Sequence, residues 1–170
     1  MQRISHKALV AAVVVGTCLL SARAFADTRI VSAATGLSVV PLRATAAQNF
    51  GELLMFKTIG QGVADQRWNL VKTPNGYLIK NAATGLCLVP TRETANQNFS
   101  TVVMYNVKGN GVLDQRWHLV KTPYGYLIKN VATGLSLVPV RDEAHVNGGR
   151  LVLYKVQGAG VYDQNWLLQN

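Results

Sequence analysis

The sequence is built from three copies of one unit, and corresponding positions in successive copies lie 49 residues apart. Three tryptophans have this spacing: Trp68, Trp117 and Trp166. The tripeptide Thr-Gly-Leu recurs with the same step, at 35–37, 84–86 and 133–135, and no insertion or deletion interrupts the register. A period of this kind indicates one supersecondary unit that packs against its own copies. The chain is therefore expected to form one structure with three-fold repetition.

Each copy contains four short runs with strand character. In the second copy these runs are 77–80, 86–89, 101–107 and 117–121. The segments between them are rich in Gly, Asn, Thr and Glu, and no stretch after the leader has a sustained 3.6-residue apolar period. The pattern predicts an all-β fold of about twelve short strands with little helix.

Three copies favour a closed three-fold barrel with a hairpin cap, because a propeller normally needs at least four blades. Closure also removes exposed sheet edges. The three tryptophans are predicted to be core anchors and not ligand contacts, since each large ring contributes extensive apolar surface when it is buried.

The first 26 residues have the pattern of a secretory signal peptide. Arg3 and Lys7 precede an apolar run over 8–20, and Ala24-Phe25-Ala26 supplies the small-x-small pattern of a cleavage site. The apolar run is too short to span a bilayer, and no later segment qualifies as a transmembrane span. The mature protein is therefore expected to be secreted or periplasmic.

The predicted domain occupies 27–170, with repeats at about 28–76, 77–125 and 126–170. Lipidation of Cys18 is the alternative to simple cleavage, although Thr17 before it is larger than such sites prefer. Cys87 is the one cysteine after the leader, so the domain forms no internal disulfide, and this cysteine is expected to be a small buried apolar residue.

The net charge is +9, and loss of Arg3, Lys7 and Arg23 with the leader leaves +6. A positive excess favours an anionic partner such as an acidic glycan or a lipid headgroup layer, and it also aids solubility. The basic residues are scattered along the chain. Scattered charge on an exported chain does not favour nucleic acid as a partner.

Three Gln-x-Trp motifs, at 66–68, 115–117 and 164–166, resemble the signature of the ricin B-type β-trefoil lectins. The Thr-Gly-Leu-(Ser/Cys)-(Val/Leu) segments resemble the Gly-x-Cys-Leu-Asp stretch of that family, and the resemblance covers residues 27–170. It implies a β-trefoil with up to three shallow sugar pockets, one in each copy. The family also includes non-catalytic, cell-binding subunits of secreted bacterial toxins.

The resemblance assigns a binding role to two sets of positions. The aromatic platform falls on Phe56, Tyr105 and Tyr154. The acidic residue before Gln-x-Trp falls on Asp65, Asp114 and Asp163. Each set has a structural alternative, because Phe and Tyr also pack between strands and Asp also bonds to turn backbone.

A third family position departs from the pattern in every copy. The upstream Asp, which accepts sugar hydroxyls in the family, is replaced by Val40, Val89 and Val138. Carboxylate hydrogen bonds contribute about 1.5–3 kcal/mol each, whereas a millimolar site has only about 4 kcal/mol in total. A galactose pocket of the familiar kind is therefore not expected unless other side chains replace the lost acceptor.

Two further sets of polar residues could supply new contacts. They are Arg43, Arg92 and Arg141, together with Asn49, Asn98 and Asn147. Arg donates and does not accept, so it suits the carboxylate or phosphate of an anionic sugar.

The sequence carries no pattern typical of an enzyme. His118 and His145 occupy different repeat positions, and no Ser-His-Asp order, acid and base pair, metal spacing or nucleotide motif is present. No catalytic site, metal or cofactor is predicted. The predicted function is recognition of cell-surface or extracellular glycans. The alternative is a protein-binding accessory subunit of a secreted toxin complex whose sugar sites have degenerated.

Overall fold

The structure, a computed structural model, describes residues 25–60, 62–158 and 161–170. Twelve strands run in chain order: β1 Phe25–Ser32, β2 Ser38–Pro41, β3 Gly51–Phe56, β4 Trp68–Thr73, β5 Gly76–Asn81, β6 Cys87–Pro90, β7 Ser100–Tyr105, β8 Trp117–Thr122, β9 Gly125–Asn130, β10 Ser136–Pro139, β11 Gly149–Tyr154 and β12 Trp166–Gln169. Five short 3₁₀ turns lie between them, at Ala64–Gln66, Arg92–Thr94, Leu113–Gln115, Arg141–Glu143 and Tyr162–Gln164. None of the helical segments in the described residues is long and apolar enough to cross a membrane.

Six strands close into a barrel. Going round it, β1, β4, β5, β8, β9 and β12 pair antiparallel, and β12 returns to β1. The first and fourth strands of each copy supply these six positions. The barrel has no free edge, because every strand in it has two neighbours.

The remaining six strands form three hairpins that cap the barrel. They are β2–β3, β6–β7 and β10–β11. The second strand of each hairpin pairs with those of the other two, so β3, β7 and β11 surround the three-fold axis. The predicted β-trefoil, with its barrel and hairpin cap, is confirmed.

The three repeated tryptophans lie in the core, as predicted, and their side chains are 0% exposed. Each indole Nε1 donates to a backbone oxygen 29 residues earlier in the chain: Trp68 to Val39 at 3.0 Å, Trp117 to Leu88 at 3.2 Å and Trp166 to Leu137 at 2.8 Å. The bond joins a barrel strand to the hairpin of its own copy. Each indole therefore contributes apolar burial and also fixes the cap on the barrel.

The repeated glutamines fix the loop that follows the third strand of each copy. Gln115 Oε1 accepts from Lys108 N at 2.8 Å, and its Nε2 donates to Asn106 O at 2.8 Å. Gln66 and Gln164 make the corresponding bonds. Strand β7 ends at Tyr105 and does not reach Val107 as predicted, because the backbone beyond it bonds to this amide and not to a strand.

The predicted leader and the Cys18 alternative fall almost wholly outside the described residues, which begin at Phe25. Strand β1 starts two residues before the predicted cleavage point. Cleavage after Ala26 would remove the pairing of Phe25 with Leu70 but keep that of Thr28 with Trp68. The pairing with β12, from Arg29 to Ser32, would also remain.

Candidate carbohydrate-binding site

The aromatic platform position lies at the end of the third strand of each copy. Tyr105 and Tyr154 are the last residues of β7 and β11, and both are half-buried. Phe56 ends β3 and is 37% exposed. Because the chain turns away immediately after each of these residues, one part of the ring remains open to solvent beside the loop.

The repeated aspartates lie in the 3₁₀ turns before Gln-x-Trp. The turn that carries Asp114 is anchored by its backbone, since Asp114 O accepts from Asn130 Nδ2 at 2.7 Å. One carboxylate oxygen of each aspartate, Oδ1 of Asp65, Asp114 and Asp163, is shielded from solvent and has no hydrogen-bond partner among the described residues. A shielded acceptor without a donor is unfavourable. A ligand hydroxyl would satisfy it.

In the second copy, the structure brings four of the predicted features together. A pocket of about 440 Å³ is lined by Tyr105, Asp114, Arg92 and Val89, along with other residues. The pocket therefore combines an aromatic face, a carboxylate acceptor and a cationic donor over an apolar floor.

The third copy repeats this arrangement. A pocket of about 210 Å³ is lined by Tyr154, Asp163, Arg141 and Val138, among others. Corresponding residues of the two copies line the two pockets, although the pocket volumes differ. The site chemistry is thus a property of the repeat and not of one local irregularity.

The valines at the family's acidic position form part of the pocket floor. Val89 and Val138 are each 7% exposed and line the two pockets. Arg92 and Arg141 begin the turns Arg92–Thr94 and Arg141–Glu143, and both are exposed. An arginine cannot replace a lost acceptor, so the carboxylate acceptor common to the two pockets is that of Asp114 and Asp163.

The predicted asparagines make contacts across the boundary between copies. Asn49 Oδ1 accepts from Asn106 N at 2.8 Å and Asn98 Oδ1 accepts from Lys155 N at 2.9 Å. Asn147 Oδ1 closes the circle by accepting from Lys57 N at 2.7 Å. In each case the donor is the residue immediately after the aromatic platform of the following copy. The Oδ1 atoms are therefore occupied by the fold and hold the neighbouring platform in place.

Two site residues were missed in the sequence. Phe50 and Phe99 line the second and third pockets, although each belongs to the copy before. The Phe50 ring meets Tyr105 at a centroid distance of 5.1 Å and an interplanar angle of 72°. The Phe99 ring meets Tyr154 at 5.0 Å and 64°. The repeated Gln-Asn-Phe, an aromatic residue inside a polar loop, was the available signal.

The first copy keeps Phe56, Asp65 and Arg43 at the platform, acidic and arginine positions, with Val40 at the floor position. Its neighbouring residue across the copy boundary is Gly148, which stands where the other two boundaries have phenylalanine. The three copies are therefore equivalent in fold but not in the side chains around the platform.

The side chains of Lys108 and Cys87 both make contacts with Tyr105. Lys108 Nζ lies 5.6 Å from the centroid of the Tyr105 ring, within the range of a cation–π contact. Cys87 Sγ donates to Tyr105 O at 3.3 Å, and burial raises the pKa of this thiol to about 11. The described residues hold no group of three or more His, Cys, Asp or Glu side chains that could bind a metal.

Many solved structures are similar to this chain in fold. The designed three-fold symmetric protein ThreeFoil has a TM-score of 0.72 and 19% identity, with 84% of this chain and 97% of that chain covered. A ricin B-like lectin of Macrolepiota procera in complex with lactose has a TM-score of 0.69 and 13% identity, covering 85% and 96%. A mosquitocidal holotoxin has a TM-score of 0.70 and 21% identity, covering 84% of this chain but 17% of that protein.

A comparison with curated protein sequences finds no match. The family comparison does find one: residues 64–154, more than half of the chain, match the family described as ricin-type beta-trefoil lectin domain-like. The matched segment contains two of the three Gln-x-Trp motifs and the Tyr105 and Tyr154 platforms. The chain belongs to the ricin-type β-trefoil lectin-like family.

Proposed function

We propose that this protein is an exported, non-catalytic carbohydrate-binding domain that recognises cell-surface or extracellular glycans. The observation that carries the proposal is the repeated pairing of a partly exposed tyrosine with a shielded aspartate oxygen that has no hydrogen-bond partner among the described residues. Tyr105 pairs with Asp114 in the second pocket and Tyr154 with Asp163 in the third. Membership of the lectin-like family supports the same function.

The chemistry of each pocket matches the two sides of a pyranose. The C–H face of the sugar would lie on the tyrosine ring and over the valine floor, where apolar contact is favourable. A hydroxyl would donate to the aspartate Oδ1, and a hydrogen bond to a carboxylate contributes about 1.5–3 kcal/mol. Together these contacts supply a large part of the roughly 4 kcal/mol of a millimolar site.

Positive charge at the pocket favours glycans that carry an acidic group. Arg92 lines the second pocket together with Lys108, and Arg141 lines the third. The guanidinium group binds a carboxylate or sulfate through two parallel hydrogen bonds. The acidic Glu93 also lines the second pocket. A pyranose with a single acidic substituent therefore suits the second pocket better than a polyanion.

The second candidate function is that of an accessory subunit that binds other proteins of a secreted toxin complex. Two observations favour it. The family's sugar-binding aspartate is valine in all three copies, and a mosquitocidal holotoxin contains a region with this fold. The shielded Oδ1 atoms of Asp114 and Asp163 favour the lectin, because each aspartate lines a pocket where a ligand hydroxyl could donate to it.

A glycan array with neutral and acidic sugars tests the proposal. The purified protein is expected to bind a defined group of glycans, and free sugar should compete for that binding. Asp114→Asn combined with Asp163→Asn keeps the shape but removes the charge, and binding should weaken by about tenfold. Val120→Ala is the matched control, because Val120 is exposed but lines neither pocket.

A folded protein that binds no glycan on the array would contradict the lectin function and favour the accessory subunit. Capture of other components of a toxin complex would then be the next measurement. The export step is tested separately, by N-terminal sequencing of protein recovered outside the cell. A mature chain that begins at Asp27 is expected.

A further inference from the structure

The two phenylalanines at the copy boundaries occupy an unfavourable position. Phe50 is 61% exposed at φ +65°, and Phe99 is 64% exposed at φ +68°. A residue with a Cβ disfavours this left-handed region, and a large apolar ring disfavours exposure to water. The third boundary has Gly148 at φ +88°, the residue type that suits such a backbone. Strain that persists at an exposed aromatic residue indicates a function for that ring.

The backbone holds each phenylalanine ring in a defined place. Phe50 N donates to Met104 O at 2.8 Å, and the preceding Asn49 accepts from Asn106 N at 2.8 Å. These two bonds lie on either side of Tyr105. The Asn-Phe dipeptide of one copy therefore bonds to the residues before and after the platform of the next copy. These bonds place the Phe50 ring against Tyr105 without a ligand.

The second boundary has the same construction. Phe99 N donates to Leu153 O at 2.8 Å, and Asn98 accepts from Lys155 N at 2.9 Å, on either side of Tyr154. At the third boundary the corresponding hydrogen bond is present, since Gly148 N donates to Met55 O at 2.8 Å. The hydrogen bonds are therefore common to all three boundaries, whereas the aromatic ring is present at two.

We propose that Phe50 and Phe99 contact the ligand and that, with Tyr105 and Tyr154, they form two composite sites for oligosaccharides of at least two sugars. This inference rests on the proposed glycan binding. The first sugar lies on the tyrosine and the second lies against the phenylalanine contributed by the preceding copy. The boundary at Gly148 does not form a third site of this kind.

The angle between the two rings of each pair indicates which class of ligand would fit. The two rings of each pair meet at 72° and 64°, so each pair forms a corner with two apolar surfaces. The two faces of a single pyranose ring are parallel, so one sugar covers only one of two surfaces that meet at such an angle. Two linked sugars present two such faces that are turned relative to each other, and they cover both surfaces.

Two-dimensional NMR titration of the purified protein tests the inference. The probes are lactose, N,N′-diacetylchitobiose and sialyllactose, with galactose, N-acetylglucosamine and sialic acid as single-sugar counterparts. Amide signals around Tyr105 and Tyr154 are expected to shift, and those around Phe56 are not. The best disaccharide or trisaccharide should bind about tenfold more tightly than its single sugar, as expected for one added aromatic contact.

Phe50→Gly and Phe99→Gly isolate the contribution of the ring. Glycine suits the left-handed backbone, and Gly148 occupies the equivalent position in this chain. Phe50→Gly should weaken oligosaccharide binding at Tyr105 by about tenfold and leave it unchanged at Tyr154. Phe99→Gly should do the reverse. Neither variant should change the affinity for single sugars, and the control Val120→Ala, at an exposed residue that lines neither pocket, should change no affinity.

The outcomes separate this inference from the proposed function. Sugar binding at Tyr105 and Tyr154 that is unaffected by the glycine variants would overturn the inference and leave the lectin function standing. Equal shifts around Phe56, or equal affinity for single and linked sugars, would also overturn it. If none of the six sugars shifts any signal, the inference is wrong, and the glycan array decides the lectin function independently.

Discussion

The side-chain Oδ1 of Asn98 lies 2.9 Å from the backbone nitrogen of Lys155 and accepts its hydrogen bond, across 57 residues of sequence. Asn49 and Asn147 make the same bond at the other two boundaries. The three bonds form a ring around the cap in which each copy holds the platform of the next. The asparagines predicted as sugar contacts therefore have a structural use, and their role in binding stays a prediction.

Two substitutions of Asn98 separate these roles. Asn98→Ala removes the acceptor and should lower the free energy of unfolding by about 1 kcal/mol. Asn98→Asp keeps an acceptor at the same place and should preserve the loop. Urea unfolding measures the stability, and glycan titration measures binding at Tyr154. Binding that is lost in Asn98→Asp while the loop is intact would instead identify the amide as a direct ligand contact.

The repeat made most of the fold predictable from the sequence. A spacing of 49 residues without insertions aligned every strand of one copy with those of the others. Trp117 could be placed in the core because a large repeated indole contributes extensive apolar surface when it is buried. These predictions needed only local sequence and its repetition.

The composite nature of the pockets could not be predicted in the same way. Phe50 and Tyr105 are 55 residues apart and belong to different copies. Their contact depends on how the hairpins close around the axis, with β3 paired to β7. The family motif also covers only positions within one copy. Contacts across a boundary between copies depend on how the three copies close around the axis. The residue pattern of a single copy does not show this.

Substitution of Trp117 should separate the apolar and polar contributions of the core indoles. Trp117→Ala leaves a large cavity in a fully buried site and should lower the free energy of unfolding by about 3–5 kcal/mol. Trp117→Phe keeps most of the ring but loses the bond to Leu88 O, and it should cost about 1–3 kcal/mol. Urea unfolding followed by circular dichroism checks both values. A Trp117→Phe variant as stable as the unmodified protein would contradict the assigned bond.

The thiol of Cys87 should be unreactive in the folded protein. It is 0% exposed, and burial raises its pKa to about 11, so little thiolate forms at pH 8. A thiol reagent such as Ellman's reagent should therefore label the protein only after denaturation. Cys87→Ser is the control, because Ser38 and Ser136 occupy the equivalent positions, and it should fold normally. Rapid labelling of the native protein at pH 8 would contradict the buried position.

The ion pair of Glu143 with Arg150 makes the stability of the fold depend on pH in a defined direction. Arg150 Nε donates to Glu143 Oε1 at 2.9 Å, and this hydrogen bond lowers the pKa of Glu143 from 4.5 to about 2. A lowered carboxyl pKa stabilises the fold above about pH 4.5, and this stabilisation is lost as the pH falls through about 2. NMR titration of the Glu143 side chain measures the pKa directly.

Arg150→Thr is the matched variant, because Thr101 occupies the equivalent position in the second copy. In this variant the pKa of Glu143 should return towards its ordinary value of 4.5. A native Glu143 that already titrates near 4.5 would show that the pair does not form in solution.

The affinity of a Tyr105→Ala, Tyr154→Ala double variant for the glycan that binds best on the array tests whether these two pockets bind sugar. Isothermal titration calorimetry should show at least about a tenfold loss, because each pocket loses its sugar platform. Phe56→Ala at the equivalent position of the first copy should bind like the unmodified protein. A folded double variant that retains full affinity would contradict the central claim that these two pockets bind the glycan.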